Sequence, residues 1–225
     1  MLRQLKKRSK HLVAWIGDEP IGERDFATTF DYYDAVFAAD SCWNQSGPVE
    51  NIHMPWPHLL PSYLTTLISQ TVSTSHSLVI VGTAYRERVE SVRALIARGM
   101  DVRIIGSGWP PDLNSEKPVD RLALIERLRR TSEVVINLPH KQMRNTRNPF
   151  FFDLAAAGIP QIIVGGSEAV DIAPPHAVIS RIEDLDMNII ETARDVSERL
   201  QQWATNSQTV DDRINLMIQR VSLSA

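Results

Sequence analysis

Glycines and basic residues that could bind an anion follow an apolar segment in the middle of the chain. The first group is Gly82-Thr83-Ala84-Tyr85-Arg86, with Arg88 two residues further on. A glycine here lets the backbone turn tightly, and the start of a following helix offers free N–H groups to an anion. Arg86 and Arg88 would add charge-assisted hydrogen bonds to phosphate. The alternative is an ordinary strand-to-helix turn with surface arginines, because neither a GxGxxG nor a Walker sequence is present.

Two more polar groups follow the next apolar segments. Gly106-Ser107-Gly108-Trp109 combines two glycines with an aromatic ring, and this could hold a planar base or sugar, or form a turn with a packing tryptophan. Asn137 and His140 follow the third segment and precede Arg147. An arginine at this place would neutralise a diphosphate leaving group. A solvated loop is the alternative interpretation.

One acidic residue, Asp153, lies between three phenylalanines and three alanines. The segment from Phe150 to Ala157 predicts a short helix that ends at Gly158, and its alanines would allow close packing on a sheet. The carboxylate either accepts hydrogen bonds from ribose or sugar hydroxyls or interacts with the dipole of a helix N-terminus. No His, Cys or Glu spacing in the sequence is typical of a metal site, so neither a metal nor another cofactor is expected.

Strands and helices in alternation must position these residues. Strands are predicted at 77–82, 102–106, 133–137 and 161–165, and helices at 86–98, 119–130 and 150–157. Strands that are apolar throughout and alternate with helices indicate a parallel sheet covered on both faces. Ligands bind at the carboxyl ends of the strands in such a sheet, where the polar groups lie. The predicted fold class is therefore α/β, with a Rossmann-like parallel sheet and helices on both faces.

The flanking segments predict further elements on either side of this sheet. Short strands are predicted at 11–15, 34–40, 50–54 and 177–179, and helices at 62–71, 182–203 and 210–221. Pro55, Pro57 and Pro61 make a stiff connection that suggests a domain edge. We therefore divide the chain into residues 1–60, 61–183 and 184–225.

The overall composition of the chain limits its possible binding partners and its possible location in the cell. The 225 residues carry 24 basic and 27 acidic side chains, a net charge of −3, which gives no indication of a nucleic-acid partner. No apolar run approaches the ~20 residues that span a bilayer, and the basic start is not followed by the apolar region of a secretory signal. Cys42 is the only cysteine, which excludes an internal disulfide. We expect a cytoplasmic protein without a transmembrane segment.

The order of these motifs resembles the GT-B glycosyltransferases of the group 1 superfamily, closest to the spore-maturation-protein-like branch. The resemblance covers about residues 11–200. Its segments are Trp15 to Asp18, Asp34-Ala-Val-Phe-Ala-Ala-Asp40, Met54-Pro-Trp-Pro57, Val79-Ile-Val-Gly82-Thr-Ala-Tyr85-Arg86-Glu-Arg88, Gly106-Ser-Gly-Trp109, Asn137, Arg147, and Phe152-Asp-Leu-Ala-Ala-Ala-Gly158. It implies a GT-B C-terminal domain at 61–183 that holds a nucleoside-diphosphate sugar. It also implies that Asp153 binds donor hydroxyls, and that Arg86, Arg88 and Arg147 steady the diphosphate.

The sequence departs from the family pattern in ways that bear on function. The family acid is usually Glu, one methylene longer than Asp153, and Arg147 precedes the acid by six residues rather than three. Residues 1–60 look like a remnant of the family's N-terminal domain, so a partner subunit or a homodimer would supply the side that binds the unknown acceptor. The alternative is a non-catalytic module that binds a nucleotide sugar or a partner protein. An epimerase-like protein is disfavoured because no GxGxxG follows the first central strand.

Overall fold

The chain forms two parallel sheets with helices packed around them. The computed structural model describes residues 2–16, 32–39, 51–66, 77–131, 133–138, 147–165 and 177–223. The strands are β1 (Val13–Ile16), β2 (Ala35–Ala38), β3 (Asn51–His53), β4 (Leu78–Val81), β5 (Val102–Ile105), β6 (Val134–Asn137), β7 (Gln161–Val164) and β8 (Ala177–Ile179). The described helices are α1 (Leu2–Arg8), α2 (Ser62–Thr65), α3 (Arg86–Ala97), α4 (Arg121–Thr131), α5 (Pro149–Ala156), α6 (Met187–Ser207) and α7 (Val210–Leu223).

The larger sheet has five parallel strands in the order β5-β4-β6-β7-β8. Counted from β4, this is the order 2-1-3-4-5, one of the two common orders of doubly wound α/β folds. Val79, Val135 and Ile163 point to a core shared with α4, α5 and the second half of α6. Their neighbours Ile80 and Ile136 point to the opposite core, which includes α3. The predicted α/β fold, with a parallel sheet flanked by helices, is confirmed.

Strands β4 and β6 pair over a shorter length than their neighbours. Their register joins Leu78 to Val134 and Val79 to Val135 and ends there. On its other side, β4 stays paired with β5 as far as Val81. Since α3 and α5 leave β4 and β6 for opposite faces of the sheet, a crevice opens between the carboxyl ends of the two strands.

The smaller sheet, in the order β1-β2-β3, packs against the last helix of the chain. Phe37 and Met54 are fully buried in a core that also contains Val221 of α7. The Nε group of Arg213, at the start of α7, donates to the carbonyl of Pro55 at 2.7 Å. The small sheet therefore shares its core with α7, although the sequence places α7 in a separate segment.

Some predicted boundaries differ from the structure. Helix α6 begins at Met187 rather than at 182, because Asp186 accepts a hydrogen bond from the N–H of Ile189 at 2.9 Å and so caps the helix. Ile96 on α3 and Leu122 on α4 are 44% and 37% exposed, so some apolar residues of these helices face away from the core. Helix α2 is described as far as Thr65, and positions 67–71 of its predicted range lie outside the described residues. In the described ranges no helix is both long and apolar enough to cross a bilayer.

We expect Gly106→Ala to destabilise the fold sharply. A Cβ at Gly106 would lie 2.0 Å from the carbonyl oxygen of Gly82, a backbone atom that cannot move aside. The loss should be about 2 kcal/mol or more in the free energy of unfolding, measured by chemical denaturation. Gly99→Ala is the matched control, because it also has a positive φ but meets no atom within 4 Å. Equal losses in the two variants would contradict this account.

Candidate functional site

A cleft of about 220 Å³ lies at the carboxyl ends of β4 and β6, where the two strands stop pairing. Its walls are formed by residues at the ends of both strands, by one side chain of helix α3 and by residues at the start of α5. The lining residues are Val81, Gly82, Arg88, Val135, Ile136, Asn137, Leu138, Asn148 and Phe150. Three residues predicted from the sequence, Gly82, Arg88 and Asn137, therefore meet at one place.

Arg88 is the cation of this cleft. Its guanidinium donates to the carbonyl of Thr83 at 3.0 Å and to the carbonyl of Leu138 at 3.3 Å, and lies 5.4 Å from the ring centre of Tyr85. No carboxylate in the described part of the chain pairs with it, and its buried Nε atom has no hydrogen-bond partner there. Burial lowers the pKa of Arg88. The cleft thus contains a partly desolvated positive charge whose partners are neutral.

The other predicted arginines have different surroundings. Arg147 is half-buried directly before Asn148, and burial alone lowers its pKa to about 10. Arg86 is exposed on α3 and forms an ion pair with Glu90 at 3.0 Å, which raises the pKa of Arg86. Arg86 therefore lies outside the cleft walls, whereas Arg147 adjoins one of them.

The predicted turn from Gly106 to Trp109 packs against Gly82, one of the residues that line the cleft. Trp109 is 8% exposed, and its indole N–H donates to the carbonyl of Gly82 at 2.9 Å. The N–H of Ala84 donates to the carbonyl of Ser107 at 2.9 Å. A Cβ at Gly108 would meet only ordinary contacts with Thr83 and Ala84. The tryptophan is thus a packing residue in this structure, and base or sugar binding by this turn remains a prediction.

Side-chain amides position the first turn of α5. Asn137 donates to the side-chain oxygen of Gln161 at 2.5 Å, and Gln161 donates to the carbonyl of Phe151 at 3.1 Å. The side chain of Asn148 accepts from the N–H of Phe151 at 2.9 Å. Asn148 was missed by the sequence analysis, although an Asn before a Pro is a recognisable helix start.

Asp153 lies on α5 but is not among the residues that line the cleft. Its side chain is 1% exposed. One oxygen accepts from the N–H of Leu59 at 2.8 Å, and the other forms an ion pair with Arg121, the first residue of α4. Burial raises the pKa of Asp153, and Leu59 and Arg121 oppose that rise. The sequence analysis did not identify either partner.

The remaining candidates do not add to the described cleft. His140 lies in 139–146, outside the described residues. In the described ranges no three His, Cys, Asp or Glu side chains lie together as metal ligands would. The residues available to hold a ligand are therefore Arg88, Asn137 and Asn148 with the neighbouring backbone.

No protein-family model matches this chain, and no curated protein matches it. The cleft and the order of the motifs are the observations that bear on its function.

We expect His58 to make the fold less stable as the pH falls. His58 is half-buried, its Nδ1 accepts from the N–H of Leu60 at 3.4 Å, and burial lowers its pKa despite the nearby Asp153 and Asp212. The pKa of His58 in the folded chain lies below the unfolded value of about 6.5. The contribution of His58 to stability is therefore full above about pH 6.5 and is lost as the pH falls from there through the folded pKa.

The test compares the wild type with His58→Gln by chemical denaturation at pH 7.5 and pH 5.5. The wild type should lose more stability between these two pH values. Asp153 is present in both proteins, so its own titration largely cancels. An equal loss of stability in the wild type and in His58→Gln would contradict the expected role of His58.

Proposed function

We propose that the chain binds a nucleoside-diphosphate sugar in the cleft between β4 and β6 and transfers its glycosyl group to an acceptor. The transfer forms a bond between an acceptor atom and the anomeric carbon, breaks the bond from that carbon to the diphosphate, and releases a nucleoside diphosphate and the proton that the acceptor loses. This is the GT-B reaction implied by the order of the motifs. The supporting observations are the position, the charge and the size of the cleft.

The position of the cleft favours a nucleotide. In open α/β sheets, ligands bind outside the carboxyl ends of the strands where the strand order reverses. Here that place is the gap between β4 and β6, and it is the described site where Gly82 and Asn137 face each other across a cleft.

The charge of the cleft favours a diphosphate, and this is the observation that carries the proposal. Arg88 is partly buried without a carboxylate partner in the described residues, and burial lowers its pKa. A buried cation without a counter-charge is costly, so a bound anion would stabilise Arg88. The same positive charge would stabilise the negative charge that develops on a leaving diphosphate.

The size of the cleft fits the diphosphate portion of the donor. Its volume of about 220 Å³ is below the ~300–1,000 Å³ typical of pockets for drug-sized ligands. The diphosphate would lie against Arg88, and Asn137 and Asn148 supply the other polar side chains of the described walls. The base and the sugar would extend beyond the described walls.

A second candidate, a module that binds a nucleotide sugar without turnover, has one observation in its favour. Asp153, the acid at the position of the family's donor-binding Glu, is already held by Leu59 and Arg121. Release of free nucleoside diphosphate from UDP- and GDP-sugars separates the two candidates. Binding without release would favour the module.

We expect UDP or GDP, alone or as a sugar derivative, to raise the melting temperature of the wild type. At about 100 times Kd, binding adds about 2.7 kcal/mol, which is about 5–10 °C for a chain of this size. Arg88→Met should weaken binding about tenfold or more, because it removes a charge-assisted contact. The readout is thermal shift, with affinities from calorimetry.

The matched control is Arg86→Met on the same helix, since Arg86 is exposed and pairs with Glu90. It should leave the shift unchanged. Arg88→Lys keeps the charge and so distinguishes lost affinity from lost fold. The absence of a shift with every nucleotide in the wild type would refute the proposal.

A further inference from the structure

Asp153 joins three separate segments of the chain. It lies on α5, accepts from the backbone N–H of Leu59 across 94 positions, and pairs with Arg121 at the start of α4. Leu59 belongs to residues 54–61, here called the crossover, which connects β3 of the small sheet to α2 beside the large one. One buried carboxylate therefore connects the crossover to two helices of the large sheet.

The crossover forms hydrogen bonds along its length with the small sheet and with the helices that pack on the large sheet. The N–H of Met54 donates to the carbonyl of Ala38 in β2 at 2.7 Å. The N–H of His58 donates to the carbonyl of Gln208, in the turn between α6 and α7, at 2.8 Å. Leu59 follows with its bond to Asp153. Asp153 is thus the contact that fixes the crossover to the helix whose first turn lines the cleft.

The pairing with Arg121 also sets the charge near the cleft. Asp153 follows Phe150, a lining residue of the cleft, by three positions, which is about 4.5 Å along the helix axis. An unpaired carboxylate less than one helical turn from a cleft wall would oppose an anion in the cleft, because charges interact over a Debye length of about 8–10 Å. The ion pair with Arg121 makes the unit neutral and leaves the positive charge of Arg88 uncancelled.

We infer that Asp153 is a positioning residue: its buried carboxylate and the partly exposed Arg121 form a neutral ion pair, here called the latch, that holds the crossover on α5, and Asp153 does not contact the donor's hydroxyls. Both of its oxygens already have partners, and its side chain is almost fully enclosed. The part of this inference that concerns the donor rests on the proposed function. The latch itself does not.

The first experiment measures the latch alone, through the stability of Asp153→Asn, Arg121→Met and the double variant. The coupling between the two sites should be about tenfold or more in the unfolding equilibrium constant, about 1.4 kcal/mol. The matched control is the cycle of Asp112→Asn and Arg93→Met, an exposed Asp–Arg pair at 2.9 Å that should show little coupling. A coupling no larger than that of the control pair would overturn the latch.

Hydrogen exchange of single amides gives a second readout on the same variants. In Asp153→Asn the amide of Leu59 should exchange several-fold faster, because a charge-assisted hydrogen bond becomes a neutral one. The amide of His58, bonded to Gln208, is the internal control and should not change. Arg121→Lys keeps the charge and should protect the Leu59 amide better than Arg121→Met. Unchanged exchange at Leu59 in Asp153→Asn would overturn the latch.

The second experiment tests whether Asp153 contacts the nucleoside. The affinities of UDP and of inorganic pyrophosphate are measured for the wild type and Asp153→Asn, and their ratio should stay within about threefold. A loss of UDP affinity with unchanged pyrophosphate affinity would place the carboxylate on the ribose and overturn the inference. If the wild type binds neither ligand, the proposed function fails, and the coupling and exchange results still decide the latch.

Discussion

The guanidinium of Arg88 connects two strand ends that have no other bond to each other in the described structure. It donates to the carbonyls of Thr83 and Leu138, which lie just beyond β4 and β6. Backbone pairing between these strands ends at Val79 and Val135, and the Arg88 side chain spans the gap beyond that point. Because carbonyl oxygens are neutral, the bridge leaves its positive charge in the gap. The same interaction therefore accounts for both the shape and the charge of the cleft.

The glycines around Arg88 follow from this arrangement. A Cβ at Gly82 would lie 2.7 Å from a guanidinium nitrogen of Arg88, and one at Gly106 would collide with the carbonyl of Gly82. That carbonyl accepts the indole N–H of Trp109, so the two loops are fixed against each other behind the cleft. In the structure these glycines allow the close packing of the two loops beside Arg88, and ligand binding by the two turns stays a prediction.

The sequence predicted the large sheet well because its strands are buried on both faces. An apolar run from 77 to 82 became β4 at Leu78–Val81, since continuous burial produces a continuous apolar pattern. It could not predict the partners of Asp153, because Leu59 and Arg121 are distant in the chain and periodicity carries no information about such pairs. It could have found Asn148, whose position before a proline is a local signal. Local sequence patterns thus predicted the helices, the strands and the glycine turns, whereas the partners of the charged residues became known only from the three-dimensional structure.

The pairing of charges explains why an acid and an arginine close in sequence can have opposite relations to a bound anion. Arg147 and Asp153 are separated by six residues, and in sequence they suggest a single site with a cation and a hydroxyl acceptor. In the structure the carboxylate of Asp153 is buried against Arg121. The ion pair neutralises the charge of Asp153, so this charge exerts little field in the cleft. Burial lowers the pKa of Arg147, which directly precedes Asn148 in the wall of the cleft. An anion site beside a helix that carries an acid requires such separate pairing, because an unpaired carboxylate about one helical turn from the cleft would cancel the field that the arginines create.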